Sequence, residues 1–450
     1  VLNLPYTYPP SDINGVVVCG WDAPSTSDVF SSPAGLSAEI LQAFPDYKNN
    51  LWVSELKPLT SDEQFEEFTR RLKAGFEQQA EIALRLLERE EWDVFMVHFQ
   101  QTDWIQHKLW TYIEQGCHEP SNHSEKVEAT RECYRHFDQL VGKLFERVAP
   151  FHATRVVLSD HGFGPLRGNI HPNYYLQEWG YLIPKQAQPD KLRGLKDLLR
   201  KSRHKKLRQF YRTLQAAGNA LTGSGEAMHQ SWADNVGDVL GARGASWDWS
   251  RTRAATVYAY LMGFVYVNLA GRGPQGSVQP GAEYERVLAD LSSRFREIRH
   301  PHTGEKLLVD VLRGADIYPA GAEGILLPDL VLIPADGYGF SFTVADTPPE
   351  VSPEGTHRHN GVLLMEGEAI TYPAEALHPN LVDMAPTVLH LLGLPVPQDM
   401  DGRVLEEALT GRRPVRFEEA DSSLVEQPQT YDSNQSELIE QRLKGLGYLE

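Results

Sequence analysis

The sequence is short of cysteine, of net positive charge and of long apolar runs. Three cysteines occur in 450 residues (Cys19, Cys117 and Cys133), with no CxxC spacing between them. That excludes a disulfide framework and a zinc ribbon. The thiols read as buried or inert groups of a reducing compartment, which predicts a cytoplasmic protein. No stretch of 18 apolar residues is present, so no membrane span is expected. Lysine and arginine number 43 against 61 aspartates and glutamates, a net charge of −18. Such a balance argues against nucleic acid as the main partner, because duplex binding rests on neutralising phosphates. An anionic substrate then needs a local attraction stronger than the global field, and a metal ion supplies one.

What remains is an ordinary globular mix, 41% hydrophobic and 23% charged, which rules out a disordered or fibrous chain. The length allows up to about three domains, or one large α/β unit with an insertion. The chain opens on Val1, and VLNLPYTYPP reads as the end of a strand entering a Pro-rich turn, without a signal-peptide pattern. Residues 62–91 carry Phe65, Phe68, Leu72, Phe76, Ile82 and Leu86 near helical spacing among charges, which predicts a long helix. Trp92–Phe99 is a buried-strand pattern, residues 124–148 a second helix, and Thr154–Ser159 another buried strand. Strand, helix, strand with continuous apolar strands predicts a parallel sheet covered on both faces. Further strands are expected near 15–19, 257–269, 329–334 and 361–365, and an apolar helix at 383–394 with Pro386 in its first turn.

Between Lys191 and Arg212 there are ten lysines or arginines against one acid, Asp197, with leucines interleaved at helical spacing. This is either a basic amphipathic helix for a membrane surface or anionic partner, or a helix with a solvated basic face over an acidic body. The acidic remainder of the chain favours the second. The tail from 416 is acidic and polar, with a helical stretch expected at 436–448.

Three short motifs carry chemistry. In Thr102-Asp103-Trp104-Ile105-Gln106-His107, Asp103 and His107 are four apart, so one helical turn projects both from one face. They follow a strand directly, and the C-terminal ends of strands are where open α/β sheets bind ligands. In Ser159-Asp160-His161-Gly162-Phe163-Gly164, adjacent Asp and His end another apolar strand, and the glycines allow a sharp turn. In Gly355-Thr356-His357-Arg358-His359-Asn360-Gly361, His357 or His359 is placed to complete a site from far along the chain. Each motif alone also reads as a helix face, a capping turn or a polar loop. Together they make a carboxylate and imidazole set that suits zinc, and two such clusters make a two-metal site for phosphate esters.

TDWIQH, SDHGFGP, GTHRHNG and DMAPTVLHLLGLPVPQDMDGRVL (383–405) together resemble the alkaline phosphatase superfamily, most closely its type I phosphodiesterase/nucleotide pyrophosphatase branch. The resemblance implies an α/β fold with an alkaline-phosphatase-like, mostly parallel central sheet, helices on both faces and an inserted cap. It assigns 1–180 and 326–415 to the catalytic core, 181–325 to the cap and 416–450 to the tail. It implies two divalent metal ions, zinc by ligand type. Asp103, His107 and His357 match the ligands of one, Asp160 and His161 two ligands of the other. His359, His98 and His171 are read as structural. Arg358 is a candidate contact for substrate phosphate, with a structural ion pair as its other reading. The implied substrate is a small phosphate ester or nucleotide, attacked by a Thr or Ser hydroxyl.

Two parts of the family pattern are not found. No strand ending in a metal-binding Asp, followed by a Thr or Ser nucleophile, precedes Asp103. The expectation is therefore an N-terminally incomplete member, with weak binding at the second metal and little activity in residues 1–450. Met365-Glu366-Gly367-Glu368 also replaces the usual Gly-Pro-Gly turn. Sulfatases and cofactor-independent phosphoglycerate mutases share the implied fold; no C/S-x-P-x-R motif is visible, and GTHR argues against a mutase. A non-catalytic relative that binds a metal or anion is the alternative, favoured by the absent nucleophile and opposed by the retained ligand set.

Overall fold

The computed structural model describes residues 1–20, 23, 29–47, 59–89, 91–185, 247–259, 261–272, 276–318, 327–341, 344, 349, 351–373, 377–411 and 413–420. The basic segment 191–212 and the helix expected at 436–448 lie outside these. In chain order the strands are β1 (Val17–Val18), β2 (Ser31–Ser32), β3 (Arg155–Leu158), β4 (Gly162–Pro165), β5 (Gly168–Ile170), β6 (Ala254–Ala259) and β7 (Gly263–Val267). They continue as β8 (Leu308–Arg313), β9 (Leu330–Pro334), β10 (Tyr338–Phe340), β11 (Gly355–Arg358), β12 (Leu363–Glu366), β13 (Val396–Pro397) and β14 (Phe417–Glu418). The helices are α1 (Gly35–Ala43), α2 (Asp62–Leu87), α3 (Gln101–His118), α4 (Glu125–Val148), α5 (Pro172–Glu178), α6 (Ala282–Arg296), α7 (Gly314–Ile317) and α8 (Met384–Leu391). The fold is mixed α/β. Among the described residues no helix is long and apolar enough to cross a membrane.

The chain divides into two compact units, residues 1–168 with 350–450, and residues 169–349. The core and cap boundaries expected from the resemblance were 180/181 and 325/326.

In the first unit, α2 begins where Ser61 caps the Gln64 N–H at 3.2 Å and Gln64 Oε1 accepts from the Thr60 N–H at 2.8 Å. Asp62 and Glu63 in the first turn complement the helix dipole. Its apolar stripe (Phe65, Phe68, Leu72, Phe76, Ala80) packs with Trp104, Ile105 and Leu109 of α3 and Cys133 and Leu140 of α4. This cluster anchors the helix that carries Asp103 and His107. A second cluster gathers Leu2, Val17, Val18, Phe30, Leu36, Ile40, Ile82 and Leu86.

Around residues 93–99 and 154–159, where a mostly parallel sheet is expected, the described residues pair in both directions. Among the described residues, 93–99 take part through a bridge at Val97, where Leu2 lies parallel between Val97 and Val18. The Leu2 N–H donates to Met96 O at 2.9 Å, the His98 N–H to Leu2 O at 3.0 Å and the Asn3 N–H to Val18 O at 2.8 Å. β3 pairs antiparallel with β12, Val157 opposite Leu364. An apolar run signals a strand but not the direction of its partner, and Leu364 (62% exposed) and Val94 (50% exposed) show one face of this region open. β4 and β11 also pair antiparallel. β13 and β14 pair parallel.

The second unit holds a four-stranded antiparallel sheet in the order β6-β7-β9-β8. Val265, Val267, Val311, Leu330 and Leu332 pack there against Val287, Leu288, Leu291 and Phe295 of α6. Buried Asp329 ties it together, accepting from the Val267 N–H at 2.6 Å, Arg272 Nη1 at 2.6 Å and the Tyr284 hydroxyl at 2.5 Å.

Candidate metal centre

Asp103 and His107 lie in the first turns of α3, ahead of a break at Leu109, where φ is −116° and ψ 16°. His161 precedes β4 directly, and His357 is the third residue of β11. The β4–β11 register sets His357 opposite Phe163. Three segments up to 254 residues apart in sequence thus meet in the first unit.

The side chains converge closely. His357 Nε2 lies 3.0 Å from His107 Nε2 and 3.1 Å from Asp103 Oδ1. His107 Nε2 is 3.5 Å from the same oxygen, which closes a triangle. Three ligands held at about 2.0–2.1 Å by one tetrahedral zinc stand about 3.3 Å apart, so the donor set fits such an ion. His161 Nε2 lies 3.8 Å from Asp103 Oδ1 and 3.6 Å from Asp160 Oδ1, between the two carboxylates. Asp103, His161 and His357 also offer ligand atoms that all lie within 4.8 Å of one another. All five expected ligands are therefore neighbours, with His161 nearer to Asp103 than a clean division into two separate sets implies. Asp160 is the exposed member, with 66% of its side chain open, whereas Asp103 is 8% open and His357 1%.

Tautomer and charge favour ligation. His107 Nδ1 lies 3.2 Å from Gly355 O, and His161 Nδ1 lies 3.1 Å from Gly162 O. A neutral ring donating from Nδ1 to a carbonyl presents the Nε2 lone pair to the site. Burial holds His107 down to about 4, with Asp103 partly countering it. Burial, and the His161 ring beside it, hold His357 down to about 3. Both rings are then neutral at physiological pH. Burial pushes the Asp103 carboxyl above its ordinary value, while His107, His161 and a 3.0 Å bond from Gln100 Nε2 to Oδ2 pull it back. A buried carboxylate beside neutral imidazoles is costly without a cation, and a divalent ion removes that cost.

Phe163 forms the floor. Its ring centroid is 4.8 Å from that of His107, 4.9 Å from His357 and 5.5 Å from His161, and it stacks at 6.3 Å on Trp110. His161 and His357 stack on each other at 3.6 Å. Phe163 and Gln100 were missed from sequence. Strand alternation through His161-Gly162-Phe163 against His357 was the signal for the first, and the i, i+3 spacing to Asp103 for the second. Arg358 donates from Nη1 to Thr356 O and His357 O, and from Nη2 to Pro165 O. His359 is exposed, and His98 sets its Nδ1 3.1 Å from Asn3 O.

Residues 11–360 match the model of the family described as type I phosphodiesterase / nucleotide pyrophosphatase. The chain belongs to that family. The type I phosphodiesterases are hydrolases of small phosphate esters and nucleotides, and typically metal-dependent, which agrees with a His and Asp group able to hold an ion. Neither the curated proteins nor the solved structures contain a match to this chain. The alkaline-phosphatase-like fold implied by the motifs is the fold this family implies as well.

Proposed function

We propose that the protein hydrolyses phosphate esters of the phosphodiester or nucleotide-pyrophosphate type at a site of two divalent ions, zinc by donor chemistry. One observation carries the reading: Asp103, His107 and His357 stand 3.0–3.5 Å from one another, and His161 lies 3.8 Å from Asp103 and 3.6 Å from Asp160. Asp103, His107 and His357 would hold one ion, and Asp160 and His161 would contribute to the second. Two ions bound there would supply a water of lowered pKa and positive charge to offset the phosphoryl oxygens. The chain's residues orient that centre. Gly355 O and Gly162 O fix two imidazole tautomers, Gln100 holds the second oxygen of Asp103, and Phe163 excludes water beneath the rings. The Asp160 side chain is 66% exposed, so the second position faces solvent among the described residues. The Thr or Ser nucleophile is assigned to a part of the protein other than these three segments, and the central parallel sheet and cap belong to the same proposal.

Metal analysis of the chain, and turnover of bis-p-nitrophenyl phosphate by protein that also carries the Thr or Ser nucleophile segment, test it. The expected result is at least one tightly bound ion in residues 1–450, and ester hydrolysis abolished by a chelator once the nucleophile segment is present. Less than one bound metal together with no hydrolysis would end the reading.

A further inference from the structure

The paired strands β4 and β11 present two faces. The register sets His357 opposite Phe163, Thr356 opposite Gly164 and Arg358 opposite Gly162. Alternation therefore puts His357 and Phe163 toward the imidazole cluster, and Arg358 with both glycines on the other face. On that face the Arg358 guanidinium lies flat over Gly164. A Cβ built on Gly164 would stand 2.6 Å from Arg358 Cζ and 2.7 Å from its Nε. From this seat Nη1 donates to Thr356 O at 3.1 Å and His357 O at 2.9 Å on β11, and Nη2 donates to Pro165 O at 2.7 Å on β4.

We propose that Arg358 is a positioning residue of the metal centre, clamping β4 to β11 from behind and so setting the spacing of the His161 and His357 imidazoles. The inference rests on the metal-site reading above. The clamp acts at the ligand itself, since one of its three acceptors is the carbonyl of His357 and another lies on the strand that His161 enters. A planar guanidinium reaches carbonyls on two strands at once; an ammonium on a flexible stem does not hold that fork. Gly164 belongs to the same device, because any side chain there would displace the guanidinium. The displaced atoms are the far end of a flexible side chain, so Gly164→Ala removes the clamp without driving the backbone apart.

Zinc affinity of the chain, measured by competition with a chelator, is the test, with metal-free melting temperature recorded beside it. Groups that orient ligands typically change metal affinity by about 10–100-fold. Arg358→Met and Gly164→Ala are each expected to weaken zinc at least about tenfold, with little change in metal-free melting, and Arg358→Lys is expected not to restore it. Inorganic phosphate binding to the zinc-saturated variants should match wild type. Unchanged zinc affinity in Gly164→Ala overturns the proposal, as does a fall in metal-free melting without loss of zinc affinity. So does weaker phosphate binding at unchanged zinc affinity, the mark of a direct substrate contact. If Arg358→Met fails to fold, Gly164→Ala decides. Wild type that binds no zinc sinks the metal-site reading as well; wild type that binds while the variants bind equally sinks only the clamp.

Discussion

In the proposed metal site, Asp103 sets function against stability at a single side chain. Its carboxyl is buried, raised above its ordinary value by that burial, and 3.1 Å from His357. Without a cation the charge is a liability. Asp103→Asn should therefore leave the melting temperature of chelated protein unchanged or higher, while abolishing the rise that zinc gives wild type; thermal melts with and without zinc check both halves. The histidines predict a pH dependence of opposite sign. His357 and His107 are held to about 3 and about 4 in the fold, against 6.5 in the unfolded chain. Their neutral forms contribute stability in full above pH 6.5, and it is lost as pH falls toward those values, because the unfolded chain takes up the protons first. Chelated His357→Asn should lose less melting temperature than wild type between pH 7 and 4.5. The raised Asp103 works the other way, since its penalty is relieved as the carboxyl protonates in the fold, so Asp103→Asn should lose more.

Among the elements, α3 is positioned by what lies on both of its sides. Beneath it, Phe76 of α2 is fully buried, with ring centroids 6.2 Å from Phe99 and 4.8 Å from Phe137. Phe76→Ala should cost about 3–5 kcal/mol in denaturant unfolding, whereas loss of the Ser61 cap should cost about 1 kcal/mol. Above it, α3 is stapled to β11 and the residues just before it by Lys108 to Glu354 at 2.8 Å, Thr111 to Pro353 O at 2.9 Å and His107 to Gly355 O. Gly355 permits this contact, for a Cβ there would stand 2.6 Å from Gln106 O and 3.1 Å from Trp110. Gly355→Ala should part β11 from α3 and weaken zinc binding by more than tenfold, read by the same chelator competition. Helices α2 and α4 were legible in sequence to within a few residues because an amphipathic stripe is a local property. The pairing of β3 with β12 was not, since a strand's direction is decided by a partner some 200 residues away.

For the whole molecule, the two units each carry their own buried cluster, and all five candidate ligands belong to the first. Binding that is confined to one unit stabilises that unit by mass action. Hydrogen exchange should show zinc-dependent protection in 101–107, 160–165 and 355–358, and none in 169–349; protection spread evenly over both units would contradict a site built within the first.

The ligand types were open to reading in sequence. Asp103 and His107 at i, i+4 and the adjacent Asp160 and His161 are matters of spacing and side-chain chemistry, whereas the choice of His357 over His359 rested on the resemblance to the family. Charge sets only an expectation for the partner class, since −18 opposes a polyanion unless a cation intervenes. Only the tertiary structure decided that His161 stands beside Asp103, that Phe163 underlies three imidazoles, and that Arg358 turns its guanidinium away from them onto Gly164. Those facts depend on which strands pair and in which register, and a one-residue slip of β11 against β4 would send His357 to the opposite face.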